Sequence, residues 1–233
     1  MLDIGGESTR PGKRAPVSAG EEQERVLSVI EGVLAAQPEA VISIDTYKAE
    51  TARAAIAGGA EIVNDVSGFL WDEQMAAACV EMGCGVVLMH TRGRPAEWAG
   101  QPPLAADEVV PLVKSELAAR AEAALAAGVA RESIVLDPGF GFGKIGDENY
   151  PLLRHFDELK ALGLPLLAGA SRKSFLLRTL EARTGAEPGA KSRIHATIAA
   201  HTAAILAGAS IIRVHDVRPA VEAAAIADAI LGG

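Results

Sequence analysis

Two cysteines in 233 residues offer no thiol-rich metal centre, because Cys79 and Cys84 lack metal-ligand spacing. In an acidic chain they read as reduced packing thiols in a cytoplasmic setting. Basic charge is also short. The formal net charge is −8, which argues against a nucleic-acid surface but leaves room for a local cationic pocket. Aromatics make up only 4% of the chain, so its helices are expected to pack largely through small side chains, chiefly alanine. No apolar run reaches the about 18 residues of a membrane span, and no signal-peptide pattern opens the chain. No linker, charge block or low-complexity tract divides it. The remainder, 49% apolar and 22% charged, is ordinary for a globular protein able to bury a sizeable core.

Short apolar strands alternate with amphipathic helices. The strands are predicted at Met1–Ile4, Val41–Asp45, Glu61–Asp65, Val86–His90, Ile134–Asp137, Leu166–Ala170 and Ser210–His215. Their β-branched, nearly continuous apolar character suits a parallel sheet buried on both sides. The first helix opens on the capping box Ser18-x-x-Glu21 and carries Val26, Val29, Ile30, Val33 and Leu34 on one face, until Pro38 ends it. A later helix begins near Asn149 and presents Leu152, Leu153, Phe156 and Leu159. The last begins at Pro219 and shows Val221, Ile226 and Ile230. Seven βα units predict an α/β fold, a TIM (β/α)8 barrel lacking its first βα unit. On that reading residues 1–233 are one barrel domain, incomplete at an N-terminus that opens in mid-strand. An open doubly wound sheet is the competing architecture. It would bring a glycine-rich fingerprint after its first strand, where this chain has Gly5-Gly6-Glu7-Ser8-Thr9-Arg10.

In a barrel the C-terminal strand ends face the site. Here they carry Asp3 with Thr9 and Arg10, Asp45, Asn64 with Asp65, His90 with Arg92, Asp137, Ser171 to Lys173, and Arg213 with His215. So many polar groups at one rim are costly unless they are used. Asp3, Asp65 and Arg92 fit a purely structural role more readily than the others. The run from Ile134 to Lys144 is the most telling. A strand delivers Asp137, and a loop of alternating glycines follows with Phe140, Phe142 and Lys144. Glycines allow close backbone approach, the two rings can form an apolar wall, and the carboxylate can accept a ligand's N–H groups. The run reads as a pocket for a planar, nitrogen-rich heterocycle. Asp45, Asn64 and Asp137 suit an aminopyrimidine edge, whose parallel N–H donors pair with a carboxylate much as a guanidinium does. Lys173 can complete that recognition, and Arg10, Arg213 and His215 suit a phosphate group. The turn at Ser171 opens a helix and can take a small carboxylate. His155, His195 and His201 lie on helices, where structural roles are favoured, and His90 fits a pocket wall.

Seven segments in order resemble the dihydropteroate synthase family across the whole chain. They are Asp3 to Gly12, Ser43-Ile44-Asp45-Thr46, Val63-Asn64-Asp65, Leu88-Met89-His90, Leu136 to Lys144, Ser171 to Ser174, and Ile212 to Asp216. The family joins 4-aminobenzoate to 7,8-dihydropterin-6-ylmethyl diphosphate, releasing diphosphate and forming dihydropteroate for folate synthesis. The resemblance implies that Asp45, Asn64, Asp137 and Lys173 bind the pterin, with Met89, Phe142 and Gly169 shaping the slot. It implies that Arg213 and His215 hold the diphosphate, and that Thr9, Arg10 and Pro11 belong to a loop that helps enclose 4-aminobenzoate. Ser171 is then the neighbour of that substrate's carboxylate. Catalysis would rest on Asp45, Lys173, Arg213 and His215. The family's Mg2+ is held by an asparagine in an Asn-x-Thr-Pro-Asp-Ser-Phe-Ser loop, and nothing like that loop occurs here, so no metal ligand is expected in this chain. A homodimer packed through the later helices, with no nucleic-acid or membrane partner, is also implied. A truncated pterin-binding barrel without turnover is the non-enzymatic alternative. The methyltetrahydrofolate-corrinoid methyltransferases resemble the chain in their pterin contacts, but would not be expected to carry Ser171-Arg172-Lys173 together with Arg213-x-His215.

Overall fold

The computed structural model describes residues 1–9, 16–185 and 189–232. Arg10 and Pro11 lie outside the described residues. The chain forms two compact units, Met1–Thr91 with Leu117–Leu136, and Arg92–Glu116 with Asp137–Gly233.

The first unit is built on a parallel five-stranded sheet in sequence order. Its strands are β1 (Leu2–Gly5), β2 (Ile42–Asp45), β3 (Ile62–Asp65), β4 (Gly85–Met89) and β5 (Ile134–Asp137), whose last residue falls in the second unit. Consecutive residues of β2 are buried whichever face they point to: Ile42, Ser43 and Ile44. That burial is what a parallel sheet covered on both faces requires, and it explains why these strands do not alternate in polarity. Helices α1 (Ala19–Ala36), α2 (Ala49–Ala57) and α3 (Met75–Met82) follow the first three strands. Ser18 caps α1 as its sequence indicates, its Oγ accepting from the Glu21 N–H at 3.2 Å. Glu21 does not complete the box, because its carboxylate is taken by Arg25. Ser18→Ala is expected to cost about 1 kcal/mol in a urea melt. Val26 and Ile30 are buried, but Val29 is exposed, so the apolar stripe of α1 is narrower than the spacing suggests. Both thiols, Cys79 and Cys84, are buried and unpaired.

The second unit holds a short parallel pair, β6 (Leu167–Ala168) and β7 (Ile211–Ile212), with Leu167 opposite Ile211. Both are shorter than the predicted strands. Helix α4 (Ala106–Ala127) begins in this unit. Then come α5 (Asn149–Arg154), α6 (Ser174–Thr184), α7 (Ala190–Leu206) and α8 (Val217–Leu231). Helix α5 gives way to a 3-10 helix, Phe156–Leu162, which buries Phe156 and Leu159 before Gly163 closes it in the left-handed conformation. The last helix corrects its sequence reading twice. It starts at Val217, two residues before Pro219, and Val221 and Ile226 are 62% and 64% exposed. Ala220 and Ala227 are the buried positions. Small side chains let a helix approach its neighbour closely, so the alanine face, not the aliphatic one, turns inward.

Candidate active site

In the first unit the sheet register aligns the functional ends of three strands. Gly5 pairs with Asp45, and Asp45 with Asn64. A Cβ on Gly5 would sit 3.2 Å from the Asp45 Cβ, so a glycine there makes room for the carboxylate beside it. Asn64 is buried and donates from Nδ2 to Asp3 Oδ2 at 3.1 Å. That bond makes Asp3 the group that orients Asn64, a role its sequence position does not reveal. Asp65 behaves as the structural reading expects. It is fully buried, its oxygens accept from the Ser67 and Phe69 N–H groups at 2.7 and 2.9 Å, and burial pushes its pKa up to about 6. Met89 and His90 are buried, and the Met89 carbonyl accepts from Arg120 Nη1 at 2.6 Å. Thr9 is half-buried.

The segment leaving β1 is fixed by groups that sequence inspection missed. Glu22, on α1, is buried, and its Oε2 accepts from Thr46 Oγ1 (3.1 Å), Thr51 Oγ1 (2.9 Å) and Lys48 Nζ (3.0 Å). Lys48 also donates to Glu7 Oε2, which takes a second bond from the Tyr47 hydroxyl at 3.0 Å. A buried carboxylate is tolerated only when so satisfied. The polar face of α1 looks solvated in the sequence, which hides Glu22; the one available signal is its spacing from Val26, four residues on.

In the second unit the loop after β5 is organised by its two ends. Asp137 Oδ1 accepts from the Gly139 N–H at 2.7 Å. Asn149 Oδ1 accepts from the Gly141 N–H at 2.7 Å, while its amide donates to the Lys144 and Gly146 carbonyls, each at 3.0 Å. Gly139, Gly141 and Gly143 all have positive φ, the conformation side chains resist. The expected two-ring wall is corrected. Phe140 is 1% exposed and stacks on Phe156 and Phe175 with centroids 6.4 and 6.3 Å away, so it belongs to the core. Phe142 remains as the single ring, with Lys173 Nζ 4.0 Å from its centroid and Trp98 against its edge. Arg92 donates to the Gly143 and Pro102 carbonyls at 3.2 and 2.8 Å, which makes it a loop brace.

Asp137 is 6% exposed, and burial raises its pKa; the Gly139 N–H and the charges of Lys173, Arg213 and Lys144 act in the opposite direction. Its Oδ2 lies 3.6 Å from where a Gly169 Cβ would stand. The unit therefore combines a buried carboxylate, an adjoining glycine, one aromatic face and three cations. The turns after β6 and β7 meet through Ser171, whose Oγ is 2.8 Å from His215 Nδ1 and accepts from the His215 backbone N–H at 3.2 Å. Arg172 pairs with both Asp216 oxygens at 3.0 and 2.7 Å.

Of the three histidines read as helical, His155 falls in the turn after α5 and His195 is exposed on α7, while His201 has a structural role. His201 is buried, its Nε2 accepts the Ala170 N–H at 3.1 Å, and burial lowers its pKa to about 4. Below about pH 6.5 the unfolded chain binds a proton that folded His201 refuses, so stability falls as pH drops from 6.5 toward 4. Thermal melts across that window are expected to show the loss, and His201→Gln to flatten its slope.

The chain belongs to the pterin binding enzyme family, whose model matches residues 1–215. Its relatives are dihydropteroate synthases. It is 45% identical over 231 residues to the Mycobacterium leprae dihydropteroate synthase, covering 99% of this chain and 80% of that protein. The Yersinia pestis synthase, solved in complex with a sulfonamide drug, superposes with a TM-score of 0.88 at 38% identity, covering 99% of this chain and 80% of that one. The Thermus thermophilus synthase, solved with 4-aminobenzoate, gives 0.85 at 42% identity, covering 98% and 84%. The fold class is accordingly α/β, of the TIM-barrel type. Among the described residues no helix is long and apolar enough to cross a membrane.

Proposed function

We propose that this chain catalyses dihydropteroate synthesis, a transferase step of folate biosynthesis. The C–O bond between the pterin methylene and diphosphate breaks, and a C–N bond to the amine of 4-aminobenzoate forms. The amine loses a proton to solvent, and diphosphate leaves. The observation that carries the reading is Asp137, a buried carboxylate flanked by Gly169 and faced by Lys173, Arg213 and Lys144.

Asp137 accepts the N–H donors of the aminopyrimidine edge, Lys173 bonds a ring acceptor, and Phe142 with Gly169 bounds the slot. The family resemblance assigns Asp45 and Asn64 to pterin binding as well, with Met89 as apolar lining. Much C–O cleavage precedes attack, so positive charge grows on the pterin and Asp45 stabilises it, while Arg213 and His215 stabilise the departing diphosphate. Ser171 receives the carboxylate of 4-aminobenzoate, and the family resemblance assigns Thr9, Arg10 and Pro11 to the same substrate. No protein nucleophile is needed. Mg2+, which the family resemblance implies, would neutralise charge on the diphosphate alongside Arg213 and His215; the family's asparagine-bearing loop has no counterpart motif in this sequence.

A cytoplasmic homodimer completes the proposal. The unpaired thiols agree with a reducing compartment, and the exposed Ala199 and Ala203 on α7, with the aliphatic side chains of α8, offer the dimer surface. The test is direct: purified protein given both substrates is expected to release diphosphate and dihydropteroate one for one. Pterin binding with neither product formed would reduce the chain to a binding module.

A further inference from the structure

We propose that Ser171 and His215 form a hydrogen-bond relay in which an anion bound at Arg213 and His215 frees the Ser171 hydroxyl to receive a carboxylate. The inference rests on the proposed function, whose two anionic subsites it connects.

Ser171 is buried, and its Oγ already accepts the His215 backbone N–H at 3.2 Å. Among the described residues, the acceptor that its own hydrogen finds is His215 Nδ1, 2.8 Å away. Donation to Nδ1 requires a neutral ring with its proton on Nε2. The surroundings favour the neutral ring: burial comes first, then the charges of Arg172, Arg213 and Lys173, with Asp216 opposing. Of its two tautomers, Nε2–H is the one that gives the Ser171 hydrogen an acceptor. In this state the Ser171 hydrogen is committed to the imidazole and cannot be given to a ligand.

A diphosphate at Arg213 and His215 offsets those cations and favours imidazolium. The ring takes one proton from solvent, Nδ1–H becomes a donor, and Ser171 Oγ accepts from it and from the backbone N–H. Its own hydrogen then swings free toward an incoming carboxylate. The backbone stays fixed meanwhile. Arg172 adopts a left-handed φ of 55°, its N–H donates to Thr197 Oγ1 at 3.0 Å, and its guanidinium is held by Asp216. Two anions repel through space, so Coulomb's law alone predicts that diphosphate weakens carboxylate binding nearby. The relay predicts the opposite sign.

Calorimetry tests this with inorganic diphosphate and 4-aminobenzoate, in two buffers of different ionisation enthalpy at neutral pH. Wild type is expected to take up close to one proton as diphosphate binds, and His215→Gln to lose that uptake. Diphosphate is expected to strengthen 4-aminobenzoate binding by about tenfold, within the usual range of coupling between sites. Ser171→Ala is expected to keep diphosphate binding and proton uptake while that enhancement falls below about twofold. Ring-nitrogen shifts of His215 should move from the Nε2–H tautomer to imidazolium. If Ser171→Ala retains the enhancement, or diphosphate binds with no change in His215 protonation, the relay is overturned and the anion site stands. If diphosphate fails to bind, or Arg213→Ala binds it as tightly as wild type, the anion site and the relay fall together.

Discussion

Asp137→Asn is expected to abolish measurable pterin binding, a loss of at least about 100-fold, or ~3 kcal/mol. The size follows from the geometry. Oδ1 is engaged by the Gly139 N–H, a bond that an asparagine carbonyl oxygen preserves, so the loop should keep its shape. The other oxygen, beside Gly169, becomes an amide N–H that meets the ligand's N–H donors head-on. One attraction is lost and a donor–donor clash replaces it, in a place too buried for water to intervene. A wild-type-like melting temperature with calorimetric silence is the expected pair of results. Unchanged affinity would remove Asp137 from the pterin site. Because burial raises the Asp137 pKa, wild-type affinity should also begin to fall, as pH is lowered, above the ordinary carboxylate range.

Arg213→Ala is expected to separate the two halves of the substrate. Affinity for diphosphate and for the diphosphate-bearing pterin should drop by about 30- to 100-fold, as befits a charge-assisted bond, while the bare pterin loses little. Arg213 sits immediately after β7, anchored by its backbone N–H to the Ala168 carbonyl at 3.0 Å. Truncating its side chain leaves that anchor in place. Its charge also favours ionised Asp137, so a small secondary loss of pterin affinity at acid pH is the expected signature of the missing field. Equal losses for both ligands would count against the diphosphate role. Raising salt should narrow the gap between wild type and variant, since screening weakens what the guanidinium contributes.

Much of the scaffold was legible in the chain because local signals and burial agreed. Strands β2, β3 and β5 are apolar runs ending in a polar residue, and they fall where periodicity puts them. The cap at Ser18 is a purely local interaction and appears as the sequence indicates. The misreadings share a different cause. Helix α8 is amphipathic with either face inward, and the hydrophobic pattern favours valine and isoleucine; the buried residues are Ala220 and Ala227. Phe140 and Phe142 are chemically alike in sequence, and only tertiary contact separates the core residue Phe140 from Phe142, whose ring faces Lys173. Asp3 and Glu22 show the converse limit. Each acts through a partner distant in the chain, Asn64 and the Thr46–Lys48–Thr51 group, so nothing adjacent in sequence marks them.

The stacking of Phe140 on Phe156 and Phe175 ties the segment that begins at Asp137 to a buried aromatic cluster of its unit. Such a segment has no cheap way to open by itself. Its amide protons should exchange with solvent only through events that expose the interior, so Gly141 and Phe142 are expected to be as slow as the surrounding helices. Little chain entropy then remains to be surrendered when a heterocycle arrives, and recognition at this end resembles a rigid die more than a closing hand.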